Sequence, residues 1–203
     1  MDTNKGRLFL ISAPSGCGKD TILSAFFKKH PECVFSISTI TRPRRDASDD
    51  LKYNFISKEE FEKLIENDKL LEYAEYCGNY YGTPREPIEK WINEGKDVFV
   101  ELETVGAAKI MQKIPDLISI FILPPSLKEL RRRLSGRKTE DEEKIEARIN
   151  EAVREMACAA NYDYVLINDR LEDAVLLLES IVTADRAKVS RNKNIINEVL
   201  NNA

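Results

Sequence analysis

A chain of 203 residues is long enough for one α/β unit with inserted subdomains and a substantial core. Hydrophobic residues make up 42% and charged residues 33%, and the formal net charge of −4 argues against a nucleic-acid or anionic-membrane surface, since both recruit a basic excess. The opening MDTNKGRLFLISAPSG has too short an apolar run for a signal peptide or a bilayer span, and Cys17, Cys33, Cys77 and Cys158 lack C-x-x-C spacing, so neither a zinc site nor a disulfide framework is indicated and a reducing cytosol fits.

Arg7–Ala13 is an apolar run bounded by Gly6 and Pro14-Ser15-Gly16, which predicts a buried strand. Asp20–Lys29 then places Ile22, Leu23, Phe26 and Phe27 on one helical face. His30, the one histidine, reads as a helix-end residue, which leaves little room for a histidine-based mechanism. Val34–Ile40 predicts a single strand running into the charged loop TRPRRDASDD, and Tyr53–Ile56 another. Ser57 with Glu60 forms a capping box for a helix to about Asp68. Glu72–Thr83 predicts a hairpin around Gly78-Asn79, and a helix is expected near Pro84–Asn93. Strands follow at Asp97–Glu103, Ser119–Leu123 and Tyr164–Asn168. Asp185–Ala203 reads as a partly amphipathic helix. Strands separated by helices imply right-handed crossovers and a parallel sheet, interrupted between about 35 and 85 by a partly β insert.

The sharpest chemical signal is Ala13-Pro14-Ser15-Gly16-Cys17-Gly18-Lys19-Asp20-Thr21, lying between a predicted strand and a predicted helix. That is the setting of a phosphate-binding loop, where small residues let consecutive amides face a phosphate and the helix adds its N-terminal dipole. Lys19 is expected to reach the β- and γ-phosphates of ATP. Ala13 replaces the first glycine of the usual motif, and Asp20 stands where Ser or Thr usually holds Mg²⁺. A carboxylate also serves a hard cation, with Thr21 next along. Cys17 sits at the helix N-terminus, where a thiolate is favoured, or is simply a tolerated small residue.

Ser38, Arg42 and Arg45 follow a strand, and two guanidinium groups there suit a phosphomonoester dianion. Glu101 and Glu103 are expected on one side of a strand, since side chains alternate. Arg133 and Arg137, four apart, are expected on one helix face, and Thr139 with Glu142 signals a second helix that carries Arg148.

Taken together, SAPSGCGKDT, SISTITRPRR, EYAEYCGNYYGTPRE, DVFVELE with Gly106, RRRLSGRKTEDEEKIEAR and YVLIND make the chain resemble the guanylate kinase family over nearly its whole length. The resemblance implies a P-loop NTPase-type parallel sheet flanked by helices, with a mixed β GMP-binding subdomain and a helical lid. The core would comprise about 1–34, 97–129 and 157–203, the GMP-binding subdomain about 35–96 and the lid about 130–156.

The implied reaction is Mg²⁺-dependent transfer of the γ-phosphoryl group of ATP to GMP, and to dGMP, in the cytoplasm. Arg42 and Arg45 would grip the GMP phosphate with Tyr53 and Tyr81, while Ser38, Glu72 and Thr83 would contact guanine. Glu101 and Glu103 would serve Mg²⁺ and guanine respectively, with Asp20 and Thr21 as the other metal-binding residues. Arg133, Arg137 and Arg148 would close over the phosphates, and Asn168 with Asp169 matches an adenine-side contact. Two departures are local. The loop between Arg45 and Tyr53 is one residue shorter than the common form, and Lys138 replaces a usual glycine. ATP and GMP are the implied partners, with no nucleic acid or membrane, and the oligomeric state stays open. The alternatives are a kinase of the same frame with another phosphate acceptor and a non-catalytic module that binds phosphorylated peptides.

Overall fold

The computed structural model describes residues 5–44, 53–136 and 142–201. Arg45, the 46–52 loop, Arg137, Lys138 and Thr139 lie outside them. The chain forms two compact units, one of Gly6–Ile11 with Glu32–Ser119, the other of Lys5 and Ser12–Pro31 with Ile120 onward.

In the first unit, strands β1 (Leu8–Ser12), β2 (Val34–Ser36) and β7 (Val98–Glu101) pair in parallel, with β7 central. Leu8–Ile11 and Val98–Val100 are buried on both faces, which is why they read as unbroken apolar runs. Phe9 and Phe99 stack with ring centroids 4.9 Å apart.

A mixed sheet in the same unit has the order β4-β3-β6-β5. Its strands are β3 (Ser38–Ile40), β4 (Tyr53–Phe55), β5 (Leu70–Tyr76) and β6 (Asn79–Pro84). The predicted strand Val34–Ile40 is therefore two strands in two sheets. Ser36 still pairs with Val100 on β7, but beyond Ile37, Ser38 pairs with Tyr53 on β4. Periodicity sees one apolar run because it does not register a change of hydrogen-bonding neighbour.

Helix α2 (Lys58–Glu66) starts on the expected capping box, with the Ser57 hydroxyl accepting from the Glu60 amide and the Glu60 carboxylate accepting from the Ser57 amide. The hairpin turns on Cys77-Gly78 rather than Gly78-Asn79, both with positive φ (49° and 74°). That is the handedness a two-residue hairpin loop needs. Helices α3 (Arg85–Asn93) and α4 (Thr104–Lys113) complete the unit.

The second unit pairs β8 (Ile118–Leu123) with β9 (Tyr164–Ile167) in parallel. Helix α1 (Lys19–Lys29) buries Ile22, Leu23 and Phe26 and packs on α7 (Leu171–Arg186), which buries Leu178, Ile181 and Val182. Glu179 of α7 meets Lys29 at 3.1 Å and His30 at 3.2 Å, so the histidine closes a helix end as expected. Helix α5 (Leu127–Ser135) packs against α6 (Glu142–Ala157). The expected helix from Asp185 onward is broken. The buried Asp185 ends α7 paired with Lys188 and with Arg191, whose guanidinium also donates to the Lys5 carbonyl at 2.9 Å. These bonds close a turn before α8 (Lys193–Asn201).

Parallel strands flanked by helices, with a separate mixed sheet, form the P-loop type α/β architecture the sequence predicts. Among the described residues no helix is long and apolar enough to cross a membrane.

Candidate active site

In the second unit, Ala13–Gly18 forms a tight loop opening onto Lys19, the first residue of α1. The Cys17 amide donates to the Pro14 carbonyl at 3.2 Å, and Gly18 is the N-cap. Gly16 and Gly18 have φ of 88° and 80°, in the left-handed region that side chains disfavour. Space is a second constraint on both. A Cβ on Gly16 would lie 2.7 Å from the Leu134 Cδ2, and one on Gly18 would lie 2.6 Å from the Asn168 Nδ2. Gly18→Ala is expected to lower stability by about 1–2 kcal/mol from the left-handed backbone alone, measured by urea unfolding.

Asn168, just past β9, explains the crowding at Gly18. Its buried side chain donates to the Cys17 carbonyl at 2.6 Å, and its own amide donates to Leu123 at 2.8 Å. Arg133 reaches the same place from α5, donating to the Asn168 carbonyl at 3.0 Å and the Cys17 carbonyl at 3.4 Å. From α6, Arg148 donates to the Ser15 hydroxyl at 2.6 Å. Thus Ser15, Cys17, Gly18, Arg133, Arg148 and Asn168 come together as one cluster around the loop. Lys19 meets the Asp20 carboxylate at 2.9 Å, and the Thr21 hydroxyl lies one residue beyond on an exposed side chain.

The thiolate expectation for Cys17 is corrected. The side chain is buried, and burial pushes the thiol up to about 12, more than Arg133 offsets. A thiol in that setting stays protonated and inert.

Glu129 was not among the predicted site residues. Its carboxylate accepts from Arg132 at 2.7 Å and from the Arg133 Nε at 2.9 Å. Those bonds, from Arg132 and then Arg133, hold it down to about 2. It therefore keeps its charge at any ordinary pH and orients Arg133 toward the loop. Glu129 and Arg133 are four apart on one helix, so spacing held the signal. Arg131 instead pairs with Glu142 and Glu146 of α6.

In the first unit, strand register decides which side chains share a face. Directly paired residues project to the same side, as do residues two apart on a strand. Ser38 pairs with Tyr53, Ile40 with Tyr81, Tyr81 with Ala74, and Thr83 with Glu72. Ser38, Tyr53, Tyr81, Thr83 and Glu72 therefore lie on one face of the mixed sheet. Arg42, just beyond β3 and largely buried, joins them. Its guanidinium carbon sits 5.2 Å from the Tyr53 ring centroid and 5.6 Å from that of Phe55. Tyr80 projects to the other face, where it stacks on Phe61 of α2 at 5.1 Å. A Cβ on Gly82 would come within 2.8 Å of the same Phe61 ring.

Glu72 is the most constrained of the group. It is buried on β5, and the Thr83 hydroxyl donates to its Oε1 at 2.7 Å. Burial raises its pKa, partly countered by that hydrogen bond and by Lys109 and Lys113. A Cβ on Gly106 would lie 3.0 Å from the Glu72 Oε2, which accounts for a glycine inside α4.

The expectation for Glu101 and Glu103 needs correction. Strand β7 ends at Glu101, and Glu103 is the N-cap of α4 with φ −68° and ψ 159°. Strand alternation therefore does not relate the two, although both are exposed at the same end of β7.

A family model described as guanylate kinase matches residues 5–185. Guanylate kinases of Desulfitobacterium hafniense and Halalkalibacterium halodurans are 44% and 45% identical, each over 94% of this chain and over 96% and 94% of their own lengths. The crystal structure of guanylate kinase from Anaplasma phagocytophilum superposes with a TM-score of 0.74 at 31% identity, covering 94% of this chain and 92% of that one.

Proposed function

The chain belongs to the guanylate kinase family, and on that premise we propose that this kinase transfers the γ-phosphoryl group of ATP to GMP, and to dGMP, giving ADP and the nucleoside diphosphate. The observation that carries the acceptor is the buried Glu72 carboxylate, held by Thr83 on a sheet face shared with Ser38, Tyr53 and Tyr81. Guanine presents N1–H and N2–H₂ donors side by side, and a carboxylate accepts from both. AMP would leave that buried acceptor unmatched.

In this reading Arg42 and Arg45, with Tyr53 and Tyr81, take the GMP phosphate, and Ser38, Glu72 and Thr83 take the base. Glu103 is assigned to the acceptor side as well. The loop Ala13–Thr21 cradles the ATP phosphates, with Lys19 on the β- and γ-groups and Asn168 on the adenine side. Arg133, Arg137 and Arg148 spread the charge that develops during transfer. We assign residues 35–96 to acceptor binding and 130–156 to a lid that closes over the phosphates and excludes water. The GMP phosphate oxygen is already a competent nucleophile, so no general base is required.

A divalent cation is implied by the family, and two oxygen donors at the start of α1 suit a hard ion, the exposed Asp20 carboxylate and the Thr21 hydroxyl. Mg²⁺ bound there would neutralise triphosphate charge. A cytosolic setting suits the free cysteines Cys17, Cys33, Cys77 and Cys158.

A coupled ADP-release assay with MgATP tests the reading, comparing GMP, dGMP, AMP, CMP and UMP as acceptors. Turnover confined to GMP and dGMP is the expected result. Turnover with a different acceptor, or none in folded protein, would overturn it.

A further inference from the structure

Strand β5 is an edge of the mixed sheet, and an edge strand leaves alternate carbonyls without a ladder partner. Helix α4 meets two of them. Lys113 Nζ donates to the Leu71 carbonyl at 3.0 Å, and Lys109 Nζ donates to the Tyr73 carbonyl at 3.1 Å. Those carbonyls belong to the residues on either side of Glu72. The two lysines are four apart, so a single face of α4 grips the strand before and after the acid.

Gly106, three residues before Lys109, lies on that face too and is the point where helix backbone approaches the carboxylate. Helix and strand thus meet at three places centred on one buried side chain. The ammonium groups also favour the ionised carboxylate against the burial that opposes it. A lysine on an exposed helix would ordinarily point into water, and its four-carbon stem loses rotamer freedom when tied down. Two such side chains turned onto neighbouring carbonyls of one strand constitute a repeated, directed contact.

We propose that Lys109 and Lys113 are positioning residues for purine recognition: by clamping β5 on both sides of Glu72 they hold its carboxylate where it can accept both donors of guanine. The proposal rests on the reading of Glu72 as the base acceptor. Their influence passes through Glu72, and neither lysine is required to touch nucleotide.

The test is calorimetric titration of the full chain with GMP, AMP and ATP separately, on wild type, on Lys109→Met with Lys113→Met, and on Lys109→Arg with Lys113→Arg. Methionine keeps most of the apolar stem and removes the ammonium. The methionine pair is expected to raise the Kd for GMP by about 10-fold, the loss of hydrogen bonds from charged donors. It should narrow the GMP-to-AMP ratio, leave the Kd for ATP unchanged, and be largely rescued by the arginine pair. A GMP Kd within twofold of wild type would overturn the proposal. So would a parallel weakening of GMP and ATP with a lowered unfolding midpoint, which marks a general folding role. If wild type itself fails to prefer GMP over AMP, the assignment of Glu72 falls, and this inference with it.

Discussion

Replacing Lys19 by methionine is expected to lower kcat by about 10³-fold while leaving the unfolding midpoint nearly unchanged. The ammonium stands at the first position of α1, directly after a loop whose left-handed glycines and Asn168 contact leave it little freedom to move. Its side chain is mostly covered, and one of its partners is the exposed Asp20 carboxylate. That pair, with so exposed a partner, contributes little to stability, and the expected loss is of charge stabilisation during transfer. Single-turnover kinetics with saturating GMP separates that loss from weakened ATP binding. A kcat within tenfold of wild type would remove Lys19 from the catalytic machinery.

For Glu72→Gln, we expect kcat/KM for GMP to fall by about 10²–10³-fold and the preference over AMP to collapse. Glutamine keeps one acceptor oxygen but turns an NH₂ group toward a guanine donor. Stability should move the other way. Burial raises the folded pKa of Glu72 above the ordinary carboxylate value of 4.5, the Thr83 bond and the two lysines notwithstanding. A raised folded pKa means that protonation is favoured by folding. The associated stability is present below the unfolded pKa and is lost as pH rises through the folded value.

At neutral pH the ionised acid therefore opposes folding, and the glutamine variant is relieved of that cost. Urea unfolding at successive pH values should show wild type gaining on Glu72→Gln as pH falls toward and below the raised pKa. The affinity of wild type for GMP should weaken over the same interval, beginning above pH 4.5, as the acceptor is protonated. A pH-independent stability difference between the two proteins would contradict the burial argument.

The phosphate loop was legible because everything that defines it is local. Pro14, Gly16 and Gly18 shape the loop, an apolar run precedes it, and an amphipathic helix follows within a few residues. The capping box at Ser57 and Glu60 was legible for the same reason, since both hydrogen bonds span three residues. Family resemblance then pointed to Glu72, Thr83, Ser38 and Tyr53 by position, and pair register brings them to one face.

Other features were invisible at that level. Tyr80 and Tyr81 are adjacent and chemically identical, yet one packs on Phe61 and the other shares the face of Glu72. Only strand register separates them, because shifting a strand by one residue exchanges its two faces. The break at Ile37, the end of β7 before Glu103, and the turn closed by Asp185 and Arg191 likewise depend on partners distant in sequence.

By itself, then, the order of residues determined the loop, the capped helices, the buried parallel strands and the family, all of which rest on contacts within a turn or on motif spacing. Tertiary structure alone decided that Cys17 is an inert buried thiol, that Asn168 and Arg133 converge on its carbonyl, and that α4 grips β5 around Glu72. Burial, desolvation and hydrogen bonds between distant segments arise only when the chain is packed, and no local pattern encodes them.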